Sequence, residues 1–214
     1  LWRCVVPATL DLDMDLTYNK VLLPSLMSRG LRSISVRYTQ DSNPAALIAM
    51  SPYIEGLRLC PLDYNPDPSA CTFRGILFDA QWPRLTSLSF RSLTSEIDED
   101  FISELPTHAP NITALELNPS LKISQSSDCS SILLAAFVAN LTKLDSLKLG
   151  FYLQSKEFVF GCLGCAESAV GQKVKILHLE YCSVDDSALE VLSRLAKLEE
   201  LSIYGDDYTH LGLA

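Results

Sequence analysis

Apolar residues recur along the chain in a short pattern, with apolar side chains at its first, fourth and sixth positions. The clearest copy spans 174–179, and another copy spans 198–203. Between them, apolar residues from Ala188 to Leu195 recur at the intervals of one helix face. The segment Ser183-Val-Asp-Asp186 precedes this stretch and matches a capping box. The pattern therefore predicts a short strand, a helix and a second short strand, each apolar on one side only.

The same strand pattern occurs earlier in the chain at irregular intervals. Further copies begin at Leu31, Ile54, Leu85, Ile112 and Leu144. Successive copies start 23 to 32 residues apart, a spacing that leaves room for a full helix in most units. Because each unit is apolar on one side, it must pack against a copy of itself. Residues 1–214 are therefore predicted to form one α/β domain, a leucine-rich-repeat solenoid (a horseshoe) with parallel strands on the concave face and helices on the convex face.

The segments between and before these copies give further predictions. Alternating apolar and polar residues around 10–16 predict the first strand of the sheet. Helices are expected at 18–29, 43–50, 98–108 and 127–141, and Gly30 fits the position just after the first of them. Three prolines predict a loop at 61–69. The segment 151–172 is read as a short helix followed by a loop.

Side chains at the third, fifth and seventh positions of each copy should point away from the core, because strand residues alternate between faces. Neighbouring strands lie about 4.8 Å apart, so these side chains form rows that one extended partner can contact. The candidate partner-binding residues of the concave face are Arg37, Arg58, Arg91, Glu116, Asn118, Lys148, His178, Glu180 and Tyr204.

The charges of these rows are uneven. Arg37, Arg58 and Arg91 fall on three consecutive strands with small residues beside them, whereas glutamates such as Glu116 and Glu180 follow on later strands. Guanidinium groups fork onto carboxylate or phosphate oxygens, so an acidic or phosphorylated peptide would suit the arginine end. The alternative interpretation is that these residues form an ordinary solvated sheet face.

No motif in the sequence predicts catalysis. Cys162 and Cys165 form a single C-x-x-C in a glycine-rich stretch, without the second pair or histidine that a zinc site needs. The histidines are scattered, and nucleophile-elbow and phosphate-loop motifs are absent. We therefore expect no enzyme activity, no metal and no cofactor. The alternative, an unrecognised active site, would involve His178 or Cys165.

Composition narrows the partners and the compartment. The chain has 17 basic and 26 acidic residues and a net charge of -9, the opposite of what a nucleic-acid backbone attracts. It contains no apolar run of the roughly 18 residues that a membrane-spanning helix needs. Seven irregularly spaced cysteines favour free thiols in a reducing compartment. We expect an intracellular protein, cytoplasmic or nuclear, that binds neither nucleic acid nor membrane.

Two stretches resemble a known family. The copy at 174–182 reads V-x-x-L-x-L-x-x-C, ends at Cys182 and leads into a capped helix. It resembles the cysteine-containing leucine-rich repeats of F-box proteins, the substrate receptors of cullin-type ubiquitin ligases. The opening Leu-Trp-Arg-Cys-Val-Val, at 1–6, resembles the end of a fungal F-box.

This resemblance implies a longer chain, with an F-box-like module upstream of Leu1 that binds the ligase adaptor. It also implies a protein target on the concave face, contacted by Arg37, Arg58 and Arg91. The expected function is protein–protein recognition as the substrate-recognition part of an SCF-type ubiquitin ligase. The alternative is another intracellular leucine-rich-repeat scaffold, such as the sensor region of an immune receptor or a small-GTPase regulator.

Overall fold

The computed structural model describes residues 9–12, 25, 28, 30–38, 44–61, 72–90, 99–117, 138–153, 172–182 and 186–204. The strands of this part are β1 (Thr9–Leu12), β2 (Ser33–Tyr38), β3 (Gly56–Pro61), β4 (Ser87–Phe90), β5 (Ala114–Leu117), β6 (Ser146–Leu153), β7 (Ile176–Cys182) and β8 (Glu200–Tyr204). They form one eight-stranded open sheet in chain order. Every neighbouring pair is parallel, so the domain is α/β with a single parallel sheet.

Equivalent positions of the repeated pattern lie side by side in this sheet. The fourth-position residues Leu57, Leu88, Leu115, Leu147 and Leu177 are consecutive register partners on β3 to β7. Each is at most 2% exposed. The prediction that these leucines point inward from adjacent parallel strands is confirmed.

One backbone arrangement recurs just before each strand from β3 to β8. The carbonyl of Arg32 accepts hydrogen bonds from two successive N–H groups, those of Glu55 and Gly56. The carbonyl of Glu55 does the same for Thr86 and Ser87, and the arrangement continues to β8 with acceptors at 86, 113, 145 and 175. Because the start of each strand is fixed to the one before it, the first residues of β3 to β8 keep the same register; between β6 and β7 the register shifts after Gly150.

Described helices follow four of the strands. They are α1 (Ala45–Met50), α2 (Thr72–Phe78), α3 (Glu99–His108) and α4 (Asp186–Ser193), and a 3-10 turn at Ser51–Tyr53 follows α1. Helix α1 confirms the prediction at 43–50, and α3 confirms the one at 98–108. Helix α2 was not predicted, although Phe73, Ile76 and Leu77 carry the spacing of one helix face. Ile76 and Leu77 are fully buried.

The helices and the apolar side of the sheet share one hydrophobic core. Leu47, Leu105 and Leu192 enter this core from α1, α3 and α4. Aromatic rings fill its middle, where Phe101 of α3 lies edge-on to Phe90 of β4 at a centroid distance of 5.9 Å. Such edge-on pairs are a preferred aromatic geometry, so helix and strand are joined by more than burial alone.

Several other predictions are settled only in part. Gly30 has φ 99°, as expected for a residue that ends a helix, and the first strand is confirmed over Thr9–Leu12. Ser25 and Ser28 are helical, as are 138–140; most of 18–29 and 127–141 lies outside the described residues. The loop predicted at 61–69 also lies outside, apart from Pro61 in β3. The segment 151–172, predicted as a short helix and a loop, begins as strand because β6 continues to Leu153, and 154–171 lie outside the described residues.

The sheet ends at β8 among the described residues, and this changes the environment of its apolar positions. Leu201 is the register partner of Leu177 but is 40% exposed. No described strand follows β8, so this leucine has a neighbouring strand on one side only. Across the part of the chain that the structure describes, no helix combines the length and apolar character needed to traverse a bilayer.

Candidate functional site

The polar side of the sheet is the candidate site. We call this side the open face; it consists of the third, fifth and seventh positions of β2 to β8. Arg37, Ser87 and Tyr204 are exposed there, and Lys148 and His178 are half-buried. The sequence predicted this face because polar residues alternate with the buried leucines along each strand.

Four charged side chains of the open face form a continuous series, which we call the charge ladder. Arg58 Nη2 of β3 lies 3.8 Å from Glu116 Oε2 of β5. Lys148 Nζ of β6 lies 3.2 Å from Glu116 Oε1 and 2.9 Å from Glu180 Oε1 of β7. The signs alternate along the series, so each inner charge has an opposite charge on both sides.

Glu116 is the most enclosed member of the charge ladder. Its side chain is 15% exposed, and it accepts a 2.6 Å hydrogen bond from the hydroxyl of Ser89, a buried serine of the intervening strand β4. Burial acts to raise the pKa of Glu116, but hydrogen bonds from Ser89 and Lys148 and the charges of Lys148 and Arg58 outweigh it. The pKa of Glu116 is therefore below its ordinary value, and the carboxylate is ionised at neutral pH.

Lys148 is stabilised in its charged form by the same network. Its hydrogen bond to Glu180 raises the pKa of Lys148, and the hydrogen bond and charge of Glu116 add to this against the cost of desolvation. Lys148 is held in one place between two carboxylates, so the charges at the centre of the open face are compensated within the protein.

The remaining predicted contact residues lie apart from the charge ladder. His178 Nε2 of β7 lies 3.7 Å from Glu200 Oε1 of β8. Tyr204 is 62% exposed, and Arg37 is exposed on β2. Arg91 and Asn118 lie outside the described residues. The sequence separated an arginine end from later glutamates, whereas the structure brings Arg58 and Glu116 together across Ser89.

A cavity of about 200 Å³ opens in the open face between β2 and β5. It is lined by Ser33, Ile34, Ser35, Gly56, Leu57, Arg58, Ser87, Ser89 and Glu116. The cavity exists because the third positions of β2, β3 and β4 and the fifth positions of β2 and β4 are small. At Gly56 a Cβ would lie 2.5 Å from Ser33 Oγ, so glycine allows the side chain of Ser33 to lie close to β3, and a larger residue would displace that hydroxyl.

The sequence did not predict this cavity, although its signal is present. Ser33, Gly56 and Ser87 are consecutive register partners, and so are Ser35, Arg58 and Ser89. Small side chains that adjoin across strands leave a depression, and the single long side chain among them, Arg58, forms part of its wall. Prediction of the cavity therefore requires the register between neighbouring strands.

The side chains that could bind a metal ion are dispersed in the described part of the chain. Within those residues, no group of three His, Cys, Asp or Glu side chains is arranged to hold a metal ion. Cys162 and Cys165, the pair considered from sequence, lie outside them, as does His210. Cys60, at the seventh position of the copy on β3, is not part of a disulfide.

Comparison with known proteins adds no family to this description. No protein-family model matches the chain, and no curated protein matches it.

Proposed function

We propose that this chain is a non-catalytic protein-recognition scaffold, built as a leucine-rich-repeat solenoid whose open face is the concave binding surface. The strand order supports the solenoid, because each strand pairs with the next in sequence and the same apolar position is buried on every strand from β2 to β7. Helices between strands supply the other layer of the core. Repeated units of this kind present long surfaces, which suit large partners.

The observation that carries the proposal is the aligned polar register of the open face. Fifth positions from Ser35 on β2 to Ser202 on β8 are register partners in one continuous row. With strands about 4.8 Å apart, one extended segment of a partner crosses several of them at once. A small molecule would use only a fraction of such a row, so a protein partner is the better fit.

The proposed biological role is substrate recognition within an SCF-type ubiquitin ligase. It is supported by the resemblance around Cys182 and by the opening residues 1–6, and the scaffold geometry is compatible with it. In this role the chain contributes binding alone, and ubiquitin transfer is performed by other subunits. The full-length gene product should then co-purify with the ligase adaptor, and failure to do so would remove the ligase role while leaving the scaffold.

The scaffold itself is tested by blocking the open face with a bulky side chain. Ser87, exposed at the edge of the cavity, is replaced by tyrosine, and Ser103, exposed on α3, receives the same substitution as the control. Proteins captured by the wild-type chain in cells should be lost with Ser87→Tyr and retained with Ser103→Tyr. Equal capture by both variants, with unchanged thermal unfolding, would overturn the proposal.

A further inference from the structure

The cavity of the open face has the size of a single inserted side chain. Its volume of about 200 Å³ is below the range of about 300–1,000 Å³ that is usual for small-molecule pockets. Ser33, Ser35 and Gly56 keep it shallow and polar, and exposed Ser87 borders it. A side chain that projects from a bound protein therefore fits better than a cofactor or a drug-sized metabolite.

The polar groups available in the cavity can all donate hydrogen bonds; the serine hydroxyls can also accept them, whereas Arg58 can only donate. The guanidinium of Arg58 lies 3.8 Å from Glu116, beyond hydrogen-bond distance, and it makes no hydrogen bond to any described residue. The hydroxyls of Ser33 and Ser35 also lack partners among the described residues. By contrast, both oxygens of Glu116 already accept hydrogen bonds or face cations. The cavity therefore suits a group that accepts hydrogen bonds.

The charges near the cavity favour an anion of single charge. Glu116 lies on one side of Arg58, with its Oε2 atom 3.8 Å from Arg58 Nη2. Phosphate carries nearly twice the charge of a carboxylate and is repelled more strongly by this glutamate. A carboxylate also has two oxygens in one plane, which match the guanidinium fork.

We infer that the cavity binds the carboxylate of an aspartate or glutamate side chain of the protein partner, with Arg58 as its anchor. This inference rests on the proposed scaffold function for the origin of the carboxylate. Arg58 donates two parallel hydrogen bonds to the carboxylate, and the hydroxyl of Ser35 donates a third. The other members of the charge ladder keep Glu116 ionised and in place. Glu116 therefore forms one wall of the cavity and does not act as a free anion that competes with the partner's carboxylate for Arg58.

The binding step is tested without the partner by nuclear magnetic resonance. N-acetyl-glutamate amide is titrated into the wild-type protein, and N-acetyl-glutamine amide serves as the uncharged probe. A single carboxylate is expected to bind in the millimolar range and to shift the Arg58 Nε–Hε and Gly56 amide signals. Equal shifts with the glutamine probe would overturn the inference, and so would a stronger response to N-acetyl-phosphoserine amide.

Arg32 provides a matched control for the anchor. It pairs with Glu55 at 3.6 Å and is 41% exposed, against 3.8 Å and 40% for Arg58, yet it lies outside the cavity. Arg58→Gln should abolish the response to the glutamate probe, and Arg58→Lys should weaken it because lysine lacks the fork. Arg32→Gln should leave it unchanged. Loss of the response with Arg32→Gln would indicate a general charge effect and contradict the assignment.

Glu116→Gln distinguishes an anion site from a cation site by the direction of its effect. Removal of this negative charge should strengthen glutamate binding by about twofold to tenfold, because repulsion across Arg58 is lost. If the cavity instead bound a lysine or arginine of the partner through Glu116, N-acetyl-lysine amide would bind the wild type and lose affinity in the variant. That result would overturn the inference.

The same arginine variants separate this inference from the scaffold proposal. With a captured partner, Arg58→Gln should weaken the affinity by about tenfold or more and Arg32→Gln by less than about twofold. A partner that is lost with Ser87→Tyr but unaffected by Arg58→Gln would retain the scaffold and overturn the carboxylate anchor. Glutamate-probe binding at Arg58 without any captured partner would support the site and remove the scaffold.

Discussion

At the scale of single residues, Glu116 decides the character of the open face. It accepts hydrogen bonds from Ser89 and Lys148 and lies near Arg58, so three donors or cations on three strands converge on one carboxylate. Such a convergence fixes the side chains around it, because each has a charged or hydrogen-bonded partner in a partly desolvated setting. The cavity beside Arg58 therefore keeps its shape before any partner binds.

Glu116 should make stability depend on pH in the acidic range. Its pKa is lower in the folded protein, so its stabilising effect is complete above the ordinary value of 4.5 and is lost as the pH falls through the folded-state value. Glu116→Gln should therefore destabilise the protein by about 1–3 kcal/mol at pH 7 and by much less near pH 3. Urea unfolding at both pH values measures this difference.

Glu104, an exposed carboxylate of α3, provides the control for that measurement. Glu104→Gln should change the free energy of unfolding by less than about 0.5 kcal/mol at pH 7. A stability gap between the wild type and Glu116→Gln that is as large at pH 3 as at pH 7 would show that the carboxylate is not stabilised by its partners.

Contacts between individual side chains were the part of the structure that the sequence predicted least well. The polarity of the open face followed from alternation, and Glu116 and Lys148 were identified as members of it. Their pairing could not be derived, because it depends on which residues become register partners and on rotamers that reach across a whole strand. Arg58 and Glu116 are on β3 and β5, and only a small residue on β4, Ser89, lets them approach.

At the scale of elements, each strand from β2 to β7 buries its fourth and sixth positions. Leu147 of β6 has strands on both sides and is 1% exposed, whereas Leu201 of β8 has the same register position and is 40% exposed. Burial of an equivalent leucine therefore contributes different amounts of stability in the two strands.

A matched pair of substitutions should reveal this difference. Leu147→Ala should lower the free energy of unfolding by about 2–5 kcal/mol, because it leaves a cavity between β5 and β7. Leu201→Ala should cost clearly less, since part of its surface already contacts water. Urea unfolding of both variants measures the two costs, and equal costs would contradict the difference in burial.

Trp82 links helix α2 to the start of β4. Its indole is fully buried, and Nε1 donates a 3.0 Å hydrogen bond to the carbonyl of Leu77 in the last turn of α2. The Trp82 backbone N–H also donates to the carbonyl of His108, at the end of α3. One residue thus joins two neighbouring helices, and helix ends need such partners for their free carbonyls.

Trp82→Phe should preserve most of the apolar contact but leave the Leu77 carbonyl without its donor. We expect a loss of about 1–3 kcal/mol in the free energy of unfolding, the cost of an unsatisfied buried acceptor together with a smaller ring. Thermal unfolding followed by circular dichroism measures it. Phe78, which is half-buried beside α3, is the comparison, and Phe78→Leu should be tolerated better.

Strands and helices were predicted correctly where the apolar pattern is repeated many times along the chain. They were missed where prolines or glycine nearby indicate a different structure. The seven repeated strand patterns lie on seven consecutive strands, because their leucines have no other place to be buried. Helix α2 was not predicted, because the three prolines in the segment before it, 61–69, indicate a loop. The end of β6 was missed because Gly150 and the aromatic residues after it carry no alternation.

At the scale of the whole molecule, the structure is a series of units in which each strand contacts the next. Its parallel sheet in chain order followed from the repeat spacing. The cavity did not, because it arises from small residues on three different strands. The open face combines the charge ladder with a cavity that shares Arg58 and Glu116 with it, and under the proposed function we expect recognition at the β2–β5 end.

Photo-crosslinking in cells tests this recognition surface most directly. A photoreactive phenylalanine analogue is placed at Ser87 and Ser202 on the open face, and at Ser103 and Ser193 on the exposed sides of α3 and α4. We predict discrete protein adducts from the open-face positions, strongest at Ser87, and none above background from the helix positions. Adducts from Ser103 or Ser193 with none from Ser87 or Ser202 would contradict the claim that the open face binds the partner.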